Sequence, residues 1–268
     1  MTTAAERVAE RLSHVEQVMG MAVSFTLATH DVPGARAAIA EAVVGLHHVD
    51  ATFSTYKRES PISRYGLGEL RLDELDEEIR SVLDVCDIAR IETEGAFDAD
   101  AMHAPNGSSF DPSGLVKGWS VEAAARTLEA HGFDDFTINA GGDIVQRGGP
   151  WTTGIRHPVL GDRLAAVLEA SGPLAIATSA TYERGEHIID PRTGEAPTLL
   201  ASVTIVGPDL TQADVWATAL FVLGSDGTAL LPQGYDAFLI TPDGVTLSTP
   251  GFDGYRAKKR IVERLRCQ

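Results

Sequence analysis

Two periods of apolar spacing meet near Gly132, and together they limit what this chain can fold into. Before that point apolar residues recur about every 3.6 positions, the period of a helix with one buried face. The spacing predicts helices over residues 4–17, from Pro33-Gly34 through Leu46, over 73–94, and from the 111–118 turn through Trp119, Val121, Ala125 and Leu128 to about Ala130. One strand, residues 23–27, interrupts them, after a turn at Gly20. From Phe133 the period drops to two, predicting strands at 136–139, 144–146, 151–156, 165–168 and 174–178. Their short turns make an antiparallel meander the most economical arrangement, with 139–143, N-A-G-G-D, as a tight turn. A strand at 202–206, a helix from Thr211 to Leu223 and a hairpin of 235–241 with 244–248 complete the core. The basic tail, Arg256 to Arg266, reads as a surface helix.

Charge narrows the partners. The chain has 268 residues, 38 acids against 22 bases and a formal charge of -16. Binding a nucleic-acid backbone needs clustered Lys and Arg, so a nucleic-acid partner is not expected. A site holding a cation fits this balance better. Cys86 and Cys267 are the only cysteines and lack metal-ligand spacing, so Cys86 reads as a small core residue. Residues 1–21 carry five charged side chains and no apolar core, unlike a signal peptide. No run of about 18 apolar residues occurs, so a cytoplasmic protein without membrane insertion is expected.

Several stretches carry chemical groups. Residues 111–118, D-P-S-G-L-V-K-G, form a turn running into a helix start, capped by Ser113 or a neighbour. A lysine opposes the dipole at that end of a helix unless an anion lies between them. The stretch is thus either a glycine turn beside a solvated Lys117 or a seat for phosphate. Residues 53–66 are either a connecting loop or a lid placing Tyr56 against a planar ligand. The long polar stretch 179–194 holds His187, on an expected short strand ended by Asp190-Pro191. Asp214 and Thr218 stand four apart and share a helix face. Either Asp214 caps the helix start as the third residue after Thr211, or the pair supplies oxygens to a hard cation such as Mg²⁺. His47 and His48 are adjacent on a helix, face different ways and make poor joint ligands.

Seven of these pieces occur in one order. They are V-M-G at 18–20, F-S-T-Y at 53–56, G-A-F-D at 95–98, D-P-S-G-L-V-K-G at 111–118 and N-A-G-G-D at 139–143. T-Y-E-R with H-I-I-D-P-R-T-G at 181–194, and A-D-V-W-A-T-A at 213–219, complete the set. In that order the chain resembles the ApbE family of FAD:protein FMN transferases over roughly residues 18–250. The resemblance implies one α+β domain over 1–268, with mixed, largely antiparallel sheets flanked by helices in a T-fold-like arrangement. It implies FAD as substrate, Mg²⁺ as cofactor, and an acceptor flavoprotein whose Thr or Ser hydroxyl receives FMN while AMP leaves. Carried over by motif, Gly114, Asp214 and Thr218 would hold the metal. Met19, Tyr56, Ala96, Phe97, Asp98, Asp111, Lys117 and Ile188 would contact FAD. His187 would be the base, with Asp214 as its competitor. The same site would serve an FAD pyrophosphatase with water as acceptor, and a non-catalytic FAD-binding module is the third reading. Ala180 stands where the family commonly has glycine, and residues 101–109 lack the apolar pattern expected beside a flavin.

Overall fold

The computed structural model describes residues 10–101, 104–108, 110–181 and 188–258. The fold is α+β. Its centre is an eight-stranded sheet in the order β1-β2-β3-β4-β7-β8-β9-β10, and every neighbouring pair is antiparallel. The strands are β1 (Glu10–Val18), β2 (Met21–Thr29), β3 (Phe136–Ala140), β4 (Asp143–Arg147), β7 (Leu174–Ala180), β8 (Ser202–Gly207), β9 (Asp236–Ile240) and β10 (Thr246–Ser248). The α-helices among the described residues are α1 (Val32–Phe53), α2 (Pro61–Gly66), α3 (Glu77–Glu92), α4 (Ser113–Ala130) and α5 (Leu210–Leu223).

Strand composition tracks how each strand is covered. In β2, Val23, Phe25 and Leu27 enter the main core and the residues between them do not, the alternation of a sheet with one wet face. In β4, β8 and most of β7 nearly every position is buried, because that half of the sheet is covered on both sides. Val145, Ala175, Ala177, Val203 and Ile205 join the helices in the main core. Ile144, Ile176, Val206, Phe238 and Ile240 face a second core containing Leu168 and Phe252.

Four readings of the sequence are corrected. Residues 10–17 are strand, pairing with β2 in register from Glu10↔Thr29 to Val18↔Met21, although Glu and Arg favour helix. Tertiary pairing overrides propensity here, and the polar, mostly exposed side chains suit a sheet edge. The strands β5 (Trp151–Arg156) and β6 (Leu164–Ala170) leave the meander and pair with each other as a separate two-stranded sheet. Strand β7 returns to pair with β4. Residues 188–190 form no strand. Of the basic tail, residues 256–258 are not helical and 259–268 lie outside the described residues.

Candidate functional site

Helix α5 is apolar around nearly its whole circumference, and within it Asp214 is 3% exposed. A buried carboxylate is costly unless donors or cations meet it. It does not cap the helix start: Asp209 is the N-cap and accepts the Gln212 N–H at 3.1 Å, which sets Asp214 one turn further in. Its partners come from α4. Asp214 Oδ2 accepts the Gly118 N–H at 3.0 Å, and Asp214 Oδ1 lies 3.7 Å from Lys117 Nζ.

Two glycines of α4 let this happen. A Cβ added at Gly118 would stand 2.5 Å from the Leu210 carbonyl oxygen and 2.9 Å from Asp214 Cβ, so a side chain there would collide with the backbone of α5. One turn earlier, a Cβ at Gly114 would stand 3.4 Å from Thr218 Oγ1 and 3.3 Å from Phe97 Cε2. The pair Gly114/Gly118 on α4 therefore packs on the pair Asp214/Thr218 on α5, each spaced one helical turn. The candidate ligands Gly114, Asp214 and Thr218 are brought together, and Phe97 closes the same spot.

Lys117 completes the cluster through a residue that sequence reasoning did not select. Its ammonium is 2.8 Å from Asp143 Oδ2. Asp143 begins β4, is 1% exposed, and its Oδ1 accepts the Thr178 N–H from β7 at 3.1 Å. The anion that a lysine near a helix start requires is thus supplied by the chain itself. Asp143 was visible as the last letter of N-A-G-G-D, where Gly141 (φ +63°) and Gly142 (φ +105°) make the turn; its burial was the missing signal.

The other candidates fall around this crossing in different ways. Asp111 Oδ1 accepts the Ser113 N–H at 2.9 Å, so Asp111, not Ser113, tends the start of α4. Met19, at φ +53° in the β1–β2 turn, lies against Ser120 of α4, with Sδ 3.7 Å from the hydroxyl. Ile188 lines a cavity of about 410 Å³ with Thr181, Leu200 and Phe221, the last one turn beyond Thr218. Ala96 and Phe97 are buried, whereas the Asp98 carboxylate accepts the Asp100 N–H and lines a separate small cavity with Tyr65 and Cys86. Burial, with Asp98 and Asp87 nearby, raises the Asp100 carboxyl above its ordinary value. Tyr56 is 71% exposed and is not drawn into the cluster. His187 lies outside the described residues. His47 and His48 pair separately with Glu16 and Glu78.

A second set of ionic contacts holds α4 against the sheet. Arg147, at the end of β4, bonds Glu122 and Glu129 at 2.6 Å each, and Glu122 Oε2 accepts the Leu210 N–H at 3.0 Å. Burial opposes the Arg147 charge, but its hydrogen bonds to Glu129 and Glu122 outweigh it and raise its pKa. Glu122 and Gly118 therefore both address Leu210, the first residue of α5.

The side-chain donors at the crossing are the Asp214 carboxylate and the Thr218 hydroxyl, oxygens that suit a hard divalent cation better than a soft one. No group of three or more His, Cys, Asp or Glu with metal-binding geometry occurs among the described residues. Fold and site thus define an α+β protein with an oxygen-donor cluster and a lysine at the crossing of two helices. Residues 100–239, more than half of the chain, match the sequence model of the ApbE family, and the chain belongs to that family. It is 34% identical over 133 residues to an FAD:protein FMN transferase of Klebsiella pneumoniae, covering 43% of this chain and 37% of that protein. It is 31% identical over 179 residues to the protein of that name from Treponema pallidum, covering 57% of this chain and 49% of that one. The matched region thus spans less than half the length of these curated relatives. Among solved structures, the ApbE protein of Thermotoga maritima superposes with a TM-score of 0.82 at 21% identity, covering 93% of this chain and all of that one. The flavin transferase ApbE of Vibrio cholerae gives 0.79 at 23%, covering 92% and 99%. At those identities the likeness establishes the fold. No helix among the described residues is long and apolar enough to cross a membrane.

Proposed function

We propose that this chain transfers the FMN portion of FAD to a Thr or Ser hydroxyl of an acceptor flavoprotein, in a Mg²⁺-dependent reaction that releases AMP. The observation that carries this reading is the meeting of Gly114, Asp214 and Thr218 at the α4–α5 crossing, with Lys117 beside them. The names borne by the curated relatives support it. Bound Mg²⁺ would neutralise charge on the pyrophosphate and on the departing AMP.

Asp214, Thr218 and the Gly114 carbonyl are assigned to the metal. Lys117 and Asp111 face the nucleotide, with Met19, the 96–98 backbone and Ile188 around the flavin. Tyr56 reaches the flavin only if its turn folds inward. The acceptor oxygen attacks the phosphorus on the riboflavin side, the bond to the bridging oxygen of the pyrophosphate breaks, and that oxygen leaves with AMP. The hydroxyl proton goes to a base. Asp214 uses one oxygen on Gly118 and faces Lys117 with the other, so His187 is the base we assign.

The test is incubation with FAD, Mg²⁺ and a flavoprotein acceptor, following AMP and gel-stable flavin fluorescence. AMP and labelled acceptor together are expected. AMP alone means that water is the acceptor and the protein is a pyrophosphatase. FAD binding without either product leaves a binding module. Asp214→Ala is expected to abolish metal-dependent turnover while the fold persists; undiminished turnover sinks the ligand assignment.

A further inference from the structure

The end of α3 reaches past the helix itself. Its last carbonyls are met by main-chain groups: the Thr93 N–H reaches the Ala89 carbonyl at 3.0 Å, and the Gly95 N–H reaches the Arg90 carbonyl at 2.8 Å. Gly95, at φ +77°, supplies the left-handed residue common at such an end. Glu94, just before it, is also left-handed at φ +53°, a costly conformation for a residue with a side chain. Two left-handed residues in succession turn the chain back onto Thr93, which then holds two successive amides. Its carbonyl accepts the Ala96 N–H at 3.0 Å, and its hydroxyl accepts the Phe97 N–H, also at 3.0 Å. The hydroxyl proton goes to the Ala89 carbonyl, 2.7 Å away, which leaves the lone pairs to Phe97. That carbonyl already has the Thr93 N–H, so the helix end does not depend on the hydroxyl. What depends on it is the Phe97 amide.

We infer that Thr93 is a positioning residue for nucleotide binding: its hydroxyl fixes the backbone of residues 96–98, and with it the Phe97 ring at the α4–α5 crossing. This rests on the reading that the 96–98 segment contacts FAD. Phe97 is buried, and its Cε2 would stand 3.3 Å from a Cβ at Gly114, the same point that Thr218 Oγ1 approaches at 3.4 Å. The ring therefore lies at the crossing, and its place is set by the peptide that Thr93 holds. Thr93 is 0% exposed, so water does not stand in for its hydroxyl. Without that hydroxyl the Phe97 N–H is buried with no acceptor there, a penalty the peptide escapes only by moving. The left-handed Glu94 points the same way: strain of this kind persists where the surrounding structure determines it, and clusters at ligand sites. Thr93 touches neither flavin nor metal in this scheme; it acts through Ala96 and Phe97.

Three proteins separate this from a purely structural role: wild type, Thr93→Val, which keeps the shape and loses the hydroxyl, and Thr93→Ser, which keeps the hydroxyl. FAD binding to the full chain is measured by isothermal titration calorimetry, without metal and again with Ca²⁺, and urea unfolding is run on each protein. Thr93→Val is expected to weaken FAD binding about tenfold, the worth of one buried hydrogen bond, and Thr93→Ser to stay within about threefold of wild type. A structural role alone lowers the urea midpoint of Thr93→Val but leaves FAD affinity of the folded protein within about threefold of wild type, and that result overturns the inference while leaving the FAD reading intact. A Thr93→Ser protein that loses as much affinity as Thr93→Val also overturns it, because packing and not the hydroxyl is then what matters. Wild type that binds no FAD under either condition overturns both. Thr93→Ala, which also lacks the hydroxyl, takes the place of Thr93→Val if the latter does not fold.

Discussion

Gly118→Ala on α4 sets two effects of known size against each other. In an exposed helix interior, alanine is favoured over glycine by about 0.8–1.0 kcal/mol. At Gly118 the added Cβ would stand 2.5 Å from the Leu210 carbonyl oxygen and 2.9 Å from Asp214 Cβ. Neither atom is the far end of a flexible side chain. Relief requires α4 and α5 to part, and overpacking of this kind costs about 1–3 kcal/mol or more. The collision is with backbone, so the upper part of that range applies, and the net expectation is destabilisation by about 2 kcal/mol. Gly114→Ala, one turn away on the same helix, is the internal control. Its Cβ would meet Phe97 and Thr218 Oγ1 at 3.3 Å and 3.4 Å, contacts that a small side-chain shift relieves. The helix gain offsets them, and the net change is expected within about 1 kcal/mol of zero. Urea unfolding of the two variants and wild type reads the difference, with m-values compared to confirm the same transition. Mn²⁺ binding should weaken in Gly118→Ala because Asp214 moves with α5. A Gly118→Ala protein as stable as Gly114→Ala would falsify the close crossing on which the site depends.

Other perturbations probe the surrounding frame. Arg147→Met leaves the buried Glu122 carboxylate without its cation and should cost about 3–5 kcal/mol in urea unfolding. Adding Glu122→Gln should recover part of that loss; no recovery would mean that the two residues are not coupled. Burial pushes the Cys86 thiol up to about 12, so the folded state keeps it protonated where an unfolded chain ionises it, above about pH 8.5. Folded protein binds the extra proton, so Cys86 lowers stability as pH rises from about 8.5 towards 12. Cys86→Ala should remove that part of the decline. In a Cys267→Ser background, native protein should react with a thiol reagent at pH 8 only as fast as it unfolds; rapid labelling would contradict the burial.

The legible parts of the sequence are those where one local rule decides the outcome. Helices α1, α3, α4 and α5 have apolar spacing and end signals that agree, and the strands from β3 to β9 sit where the period becomes two. The first strand was illegible because Glu10, Arg11 and Glu16 have helix propensity, and only pairing with β2 reveals an edge. The departure of β5 and β6 from the meander is likewise invisible locally, since period two states which face is buried but not against which partner. At the site, the motif order picked out Gly114, Lys117, Asp214 and Thr218, and the fold gathers them. Asp143 escaped because a turn of two glycines accounts for N-A-G-G-D without needing its acid to pair with anything.

The crossing also explains why glycine and oxygen residues alternate roles across two helices. Each helix places residues four apart on one face, so Gly114/Gly118 and Asp214/Thr218 form two rungs between α4 and α5. At the first rung the missing side chain brings Thr218 Oγ1 close to the α4 backbone. At the second it exposes the Gly118 N–H to Asp214 Oδ2. A side chain at Gly118 would collide with Leu210 and Asp214, whereas one at Gly114 would only crowd Phe97 and Thr218. Glu122, one turn further along α4, then fixes the rotation of α5 by taking the Leu210 N–H, while Arg147 ties Glu122 to the same strand that begins with Asp143. Strand β4 thus reaches both ends of the arrangement: Asp143 holds the lysine beside the oxygens, and Arg147 holds Glu122, which takes the first N–H of the helix that supplies them.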